Sequence, residues 1–170
     1  MGSGKTTLAP IVANILGYTS LDLDTEIERT IGTSIAEYFK TEGEEKFRAI
    51  EQQTLIATQE HAHVVVALGG GTVTYGENIK IIKSAGLLVY LKSDVATIIK
   101  RVKRKQNRPL LHDENGVTLP EQELQERIKT LLERRAAYYT QADIIIDVSA
   151  QTLPFTADKL ANKIRRYIET

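Results

Sequence analysis

The sequence predicts an α/β domain in which helices cover both faces of a parallel β-sheet, giving three layers. Apolar segments of strand length alternate with segments of helical periodicity along the 170 residues. His63–Leu68 has no alternating polar positions, which is typical of a strand buried on both faces of a parallel sheet. The length fits one domain, residues 1–170, and the sequence contains no linker, repeat or low-complexity segment.

The first half of the chain predicts a helix, a strand and then several helices. Apolar residues at steps of three and four indicate a helix over Lys5–Leu16, which Gly17 ends. Thr19–Leu23 is predicted to be a short strand, with Asp22 and Asp24 on one face. Three helices are predicted before the buried strand: Thr25–Thr30, Ser34–Lys40 and Glu44–Glu60.

The second half continues the alternation. Helices are predicted at Glu77–Ala85, Asp94–Lys103, Glu121–Tyr139 and Pro154–Ile168, and strands at Leu87–Leu91 and Ile144–Asp147. Residues 104–120 contain Pro109, Asn115-Gly116 and Pro120 and have no sustained period, so they are predicted to form a loop. A loop this long within a compact domain is typical of a lid over an active site.

Composition excludes several classes of protein. Lys plus Arg and Asp plus Glu balance at 22 each, so no net charge draws the chain to nucleic acid or to a membrane surface. There is no cysteine, and His61, His63 and His112 do not form a metal-binding pattern. No apolar segment is long enough to span a membrane, and no signal peptide is evident. We therefore expect a cytoplasmic enzyme without nucleic-acid or membrane partners.

The chain begins with the closing half of a Walker A phosphate loop, Gly2-Ser3-Gly4-Lys5-Thr6-Thr7. In this motif backbone N–H groups surround phosphates, the Lys reaches the terminal phosphates and the Thr hydroxyl ligates Mg²⁺. The helix that follows directs its positive end at the same anion. The alternative is an ordinary helix start preceded by glycines.

Two further polar features follow predicted strands, where ligands of parallel sheets bind. The first feature is the pair of carboxylates of Asp22 and Asp24. One of them could approach Mg²⁺ near Thr6, and the other could accept a proton from a substrate hydroxyl. Asp24 could instead cap a helix, because Thr25–Glu28 fits a capping box. The three glycines Gly69, Gly70 and Gly71 allow a ligand to approach the backbone closely, although a tight turn is the alternative.

Three arginines are candidates for binding anions. Arg135 lies on an otherwise apolar helical stripe, where it requires either a carboxylate ligand or an internal partner. Arg48 is three residues before Glu51, a spacing that also fits an exposed helix pair. Arg108 lies in the predicted lid, where it could stabilise a transferring phosphoryl group or simply be solvated.

Together these stretches resemble the shikimate kinase family, whose order and spacing they follow over almost the whole chain. The matching segments are Gly2–Thr7, Asp22–Asp24, Phe47–Glu51, Leu68–Gly71, Arg108–Leu111 and Arg135–Tyr139. The resemblance implies a P-loop fold of the nucleoside-monophosphate-kinase type with a five-stranded parallel sheet. It also implies transfer of the ATP γ-phosphoryl group to the 3-hydroxyl of shikimate, a step in aromatic amino-acid biosynthesis.

The resemblance also implies roles for individual residues. Lys5 and Arg108 would stabilise charge on the transferring phosphoryl group, and Thr6 would ligate Mg²⁺, with Asp22 binding it through water. Asp24 would hold and deprotonate the accepting hydroxyl. The shikimate carboxylate would be held by Arg48 and Arg135, with the pocket shaped by Glu51 and the three glycines.

By the same resemblance, Arg101 and Pro154 would sandwich the adenine of ATP. Substrate-binding helices would span about residues 24–60, the lid about residues 104–120, and the protein would act as a monomer. The family carries a strand and the first loop glycine ahead of the position of Met1. We therefore expect the natural protein to have roughly ten further residues that include the central strand.

Two alternatives to this function remain open from the sequence. One is a related small-molecule kinase that uses gluconate or a nucleotide as the acceptor. The other is a non-catalytic nucleotide-binding protein, which the partial phosphate loop would allow.

Overall fold

The computed structural model describes residues 2–104 and 117–169, within which helices and parallel strands alternate. The strands are β1 (Thr19–Asp22), β2 (Val64–Ala67), β3 (Val89–Lys92) and β4 (Ile144–Asp147). The α-helices are α1 (Lys5–Leu16), α2 (Leu23–Ile31), α3 (Ile35–Ala57), α4 (Asn78–Ala85), α5 (Val95–Lys103), α6 (Glu121–Tyr139) and α7 (Leu153–Ile168). Short 3₁₀ helices cover Thr58–Glu60 and Thr72–Thr74. The predicted fold class, a parallel sheet flanked by helices, is confirmed.

Several element boundaries differ by a few residues from those predicted, and two of the differences have a clear local reason. β1 ends at Asp22 because the Asp22 side chain accepts a hydrogen bond from the Asp24 N–H and caps α2. The helices predicted on either side of Gly43 run together as α3, in which Gly43 alone has a non-helical backbone, with φ 82° and ψ 172°. Glycine tolerates this positive φ, so α3 consists of two helical segments joined across a kink at Gly43.

The strands form two parallel pairs. Residues 19–22 of β1 lie opposite residues 64–67 of β2, and residues 89–92 of β3 lie opposite residues 144–147 of β4. α1 packs against β1, β2 and α7, so it links one strand pair to the C-terminal helix. The carboxyl ends of β1 and β2 both lead directly into candidate site residues.

An apolar cleft of about 650 Å³ lies between the two strand pairs. It is lined by β2 and β3, by the buried face of α1, and by Leu160 and Ile164 of α7, whereas β1 and β4 do not contribute to it. Each of the two inner strands therefore has, among the described residues, one edge without a partner strand. This explains why Val64–Val66 are only half-buried, although the sequence predicts a strand buried on both faces.

The cleft opens toward the phosphate loop, since Ser3 and Lys5 also line it. The hydroxyl of Ser93, at the end of β3, is buried in its wall and has no hydrogen-bond partner among the described residues. This is the location where the sequence analysis expects a strand leading into the loop. The strand itself stays a prediction.

Three apolar clusters form the core. The first joins α1, β4 and α7 around Val12, Ile146 and Ala157, and the second joins α5 to α6 around Ile98 and Ile128. The third packs α2 against α3 through Leu23, Ile27, Phe47 and Leu55. None of the helices within the described ranges is both long and apolar enough to cross a membrane.

We expect an apolar segment of about five residues, joined ahead of Met1, to enter the cleft and pair with β2 and β3. Each buried Val or Ile contributes about 1.5–3 kcal/mol, and about 1 kcal/mol shifts the melting temperature of a chain of this size by roughly 2–4 °C. If two such side chains become buried, we therefore expect the melting temperature to rise by about 6 °C or more. The matched control carries the same segment with two prolines, which cannot donate ladder hydrogen bonds, and an equal rise in both would contradict strand insertion.

Candidate active site

The phosphate loop has the backbone geometry expected from its glycines. Gly2 and Gly4 have φ values of +64° and +93°, in the left-handed region that side chains rarely adopt. Gly4 is the N-cap of α1, and no side chain caps that helix terminus. Lys5 and Thr6 occupy the first turn of α1, so their side chains share this end of the helix with its free N–H groups.

Both aspartates predicted for the site meet the phosphate loop. The Thr6 hydroxyl donates to Asp22 Oδ2 at 3.1 Å, and Lys5 Nζ lies 3.5 Å from Asp24 Oδ2. The prediction that the two carboxylates share one strand face is wrong, because Asp24 lies in the first turn of α2. The alternative that Asp24 caps α2 is also wrong, because Asp22 provides the cap.

The Thr6 hydroxyl and the Asp22 carboxylate place two hard oxygen atoms side by side, and such atoms suit Mg²⁺. No group of three or more His, Cys, Asp or Glu side chains in residues 2–104 and 117–169 could hold a metal ion. Mg²⁺ commonly binds through one or two protein oxygens, with water and substrate phosphates completing its shell. The pair at the loop fits that mode.

Two of the three glycines, Gly69 and Gly71, lie where a side chain would crowd candidate site residues. A Cβ atom built on Gly69 would lie 2.9 Å from Thr72 Oγ1 and 3.2 Å from Asp24 Oδ1. A Cβ atom built on Gly71 would lie 3.1 Å from Arg48 Nη2 and 3.5 Å from Arg135 Nη2. This short segment therefore brings Asp24 and both predicted carboxylate-binding arginines into one site.

Arg48 forms a largely buried ion pair. Its Nη1 donates to Glu51 Oε2 at 2.7 Å, and the Glu51 side chain is only 2% exposed. Its Nε and Nη2 donate to Glu44 Oε1 at 3.3 and 3.1 Å, where Glu44 is exposed to solvent. Burial lowers the pKa of Arg48, but hydrogen bonds and charge from Glu51 and then Glu44 outweigh it, so the pKa is raised. The alternative of an exposed helix pair is wrong.

Arg135 reaches the same glycines from α6. It is half-buried, and within the described part of the chain no carboxylate pairs with it. One turn later, the Tyr139 hydroxyl donates to the Gly70 carbonyl at 2.7 Å, and its ring stacks on Tyr90 at 4.7 Å. Tyr139 thereby fixes α6 against the glycine segment, and two guanidinium groups beside Gly71 leave a place for an anion.

The residues predicted to bind adenine are placed differently from one another. Arg101 donates to the Ser3 carbonyl at 3.0 Å and to the Val148 carbonyl at 2.7 Å, so it ties α5 to the phosphate loop. Pro154 is in the first turn of α7 and is exposed. Arg108 and most of the predicted lid lie outside the described residues.

The arrangement has two ends with different chemistry. Lys5 and the α1 terminus suit the phosphates of a nucleotide, and the two arginines at Gly71 suit a carboxylate. Asp24 lies between them, in contact with Lys5 and beside Gly69. Such a site can hold an anionic alcohol with its hydroxyl near Asp24 and a terminal phosphate near Lys5.

Sequence reasoning missed several residues that shape this site. Thr72, Asn78, Glu44 and Tyr139 contact its walls, yet the sequence analysis assigned no role to any of them. The one available signal was position, since Thr72 and Asn78 closely follow the glycines. Thr72, Asn78 and Tyr139 bond to partners that are 6 to 69 residues away along the chain, which local patterns do not reveal. Glu44 is only four residues from its partner Arg48.

Comparison with known proteins gives a consistent result over the whole chain. The family model for shikimate kinase matches residues 1–169. A shikimate kinase from Chlorobium chlorochromatii is 42% identical over 169 residues, covering 99% of this chain and 89% of the relative. One from Chlorobaculum tepidum is 39% identical over 167 residues, covering 98% and 87% respectively.

Solved structures agree. A shikimate kinase from Acinetobacter baumannii in complex with shikimate superposes with a TM-score of 0.86 at 34% identity, covering 98% of this chain and 89% of that chain. A shikimate kinase from Bacteroides thetaiotaomicron gives a TM-score of 0.87 at 30% identity, covering 100% and 94%.

Proposed function

The chain belongs to the shikimate kinase family, and we propose that the site at its three glycines transfers the γ-phosphoryl group of ATP to the 3-hydroxyl of shikimate. The single observation that supports this most strongly is the convergence of Arg48 and Arg135 on Gly71, beside Asp24. A cyclic acid with a ring hydroxyl fits that spacing of cations and carboxylate. The products of the proposed reaction are ADP and 3-phosphoshikimate, and the latter is used in aromatic amino-acid biosynthesis.

The chemical step requires positioning and charge stabilisation more than covalent participation by the protein. The shikimate oxygen attacks the γ-phosphorus, and the bond from that phosphorus to the β–γ bridging oxygen breaks. The hydroxyl proton passes to the Asp24 carboxylate, whose Oδ2 lies 3.5 Å from Lys5 Nζ. Lys5 also faces the phosphates, where its charge offsets that of the transferring group. Arg108 in the predicted lid would add to this stabilisation.

Mg²⁺ fits the oxygen pair formed by Thr6 and Asp22. When bound with ATP it neutralises phosphate charge, as in other phosphoryl-transfer enzymes. In this chain the Thr6 hydroxyl would ligate the ion and Asp22 would bind it through water. Asp22 remains oriented for that role because it also caps α2.

The carboxylate of shikimate would bind between Arg48 and Arg135. Glu51 remains paired with Arg48, whereas Glu44 is exposed and gives way to the incoming carboxylate. Arg101 and Pro154 would hold adenine. We further propose that residues 1–170 act as one domain, as a monomer and in the cytoplasm.

A coupled assay of ADP release tests the function directly. With ATP and Mg²⁺ we expect turnover with shikimate, and little with gluconate or nucleoside monophosphates, because neither presents a ring carboxylate to the two arginines. Preference for either of those acceptors would indicate the related-kinase alternative. Binding of ATP without turnover of any acceptor would indicate the non-catalytic one.

We expect Asp24→Asn to reduce kcat by about 100-fold or more, the typical contribution of a positioned base. The KM for ATP should remain within about twofold, because the asparagine keeps the size of the side chain and does not touch the nucleotide's anchoring N–H groups. Asp158→Asn, on the outer part of α7, is the matched control. An unchanged kcat in Asp24→Asn would remove the proposed role.

We expect Arg135→Ala to raise the KM for shikimate by about tenfold or more, as for the loss of a charge-assisted hydrogen bond. Affinity for ATP should be nearly unchanged, because Arg135 lies at the glycine end of the site. Arg134→Ala, the exposed neighbour on α6, is the matched control. Initial rates at varied concentrations of each substrate provide the test, and equal loss for both substrates would contradict a carboxylate-binding role.

A further inference from the structure

A closed ring of hydrogen bonds lies behind Arg48. The Thr72 hydroxyl donates to Glu51 Oε1 at 2.6 Å, while Glu51 Oε2 accepts from Arg48. The Asn78 side chain donates to the Thr72 carbonyl at 3.0 Å. Gln52 then donates to Asn78 Oδ1 at 2.8 Å, which returns the ring to α3 beside Glu51.

Three members of this ring are deeply buried, and Gln52 is half-buried. Thr72 and Asn78 are both 0% exposed and Glu51 is 2% exposed, so no solvent replaces a missing partner. Both oxygens of the Glu51 carboxylate are engaged, one by Arg48 and the other by Thr72. Rotation of this carboxylate would therefore break a hydrogen bond in a region of low dielectric, where an unpaired polar group is costly.

The ring also fixes the glycine segment. Thr72 directly follows Gly71, and its hydroxyl is the atom nearest to a Cβ built on Gly69. Asn78, at the start of α4, holds the backbone of the same residue from the other side. Thr72 belongs to the turn that follows the glycines, and its side chain bonds to Glu51, the partner of Arg48. Thr72 therefore determines the distance between Arg48 and the glycines.

We propose that Thr72 is a positioning residue, held by Asn78, that sets the orientation of Arg48 through Glu51 and so determines how well the site binds a substrate carboxylate. The inference rests on the proposed function, since it assigns that carboxylate to shikimate. Thr72 does not touch the substrate. We expect its main effect at the carboxylate end of the site, because its side chain bonds to Glu51, the partner of Arg48, and not to Lys5.

Thr72→Val tests this proposal, because valine keeps the shape of threonine and removes only the hydroxyl. It leaves Glu51 Oε1 buried without a donor, which loosens the pair with Arg48. We expect the KM for shikimate to rise about tenfold, with the KM for ATP within about twofold of the wild type. Thr72→Ser, which keeps the donor, should restore the KM for shikimate to within about twofold of the wild type.

Two controls separate positioning from a general loss of structure. Thr54→Val removes a hydroxyl from the same helix as Glu51, where it bonds only to the Ile50 carbonyl, and should leave both KM values unchanged. In an Arg48→Ala background, Thr72→Val should lower kcat/KM for shikimate by less than about twofold, because the group it positions is gone. If Thr72→Val does not fold, Thr72→Ala takes its place. It should likewise raise the KM for shikimate and leave the KM for ATP nearly unchanged.

The outcomes are distinguishable. An unchanged KM for shikimate in Thr72→Val, an equal change for both substrates, or a full additional loss in the Arg48→Ala background would overturn the positioning role alone. A wild-type protein that neither binds nor phosphorylates shikimate would overturn the proposed function, and this inference with it.

Discussion

The ion pair between Arg48 and Glu51 is the interaction on which the substrate side of this molecule depends. A buried carboxylate is costly unless it is paired and hydrogen-bonded, and Glu51 satisfies both conditions within α3 and the turn that follows β2. The pair holds a positive charge beside a backbone segment that has no side chains. Under the proposed function, this fixed guanidinium group beside bare backbone would supply hydrogen-bond donors to the substrate carboxylate.

The phosphate side is organised differently, around helix termini. α1 begins in the glycine loop and α2 begins at the end of β1, so two N-termini lie close to Asp22 and Lys5. Asp22 contributes to both, because it caps α2 and accepts from Thr6 of α1. Arg101 adds a third connection by binding the loop carbonyl of Ser3. The phosphate-loop end of the site is thus held by backbone geometry, and the glycine end by a side-chain network.

Local sequence patterns were sufficient for much of this description. Alternating apolar periods predicted the elements and their order, and the position of one cation on the apolar stripe of α6 made Arg135 a candidate for binding an anion. The spacing of Arg48 and Glu51 predicted their pairing but not their burial, which depends on the 3₁₀ turn and α4 packing over them. The role of Thr72 was not predictable, because its partner lies 21 residues earlier in the chain and neither residue is unusual locally. The strand face of Asp24 was wrongly predicted because β1 ends one residue early, at Asp22, whose side chain caps α2.

The contact between Glu44 and Arg48 has a consequence for how the pocket fills. In the free protein Glu44 serves as a resident counter-ion, supplied by the exposed turn just after the bend at Gly43. Under the proposed function, the substrate carboxylate would take the place of Glu44, whose side chain is already exposed to water. Glu51 stays paired with Arg48 throughout, so the guanidinium group would exchange only its exposed second partner and keep its orientation.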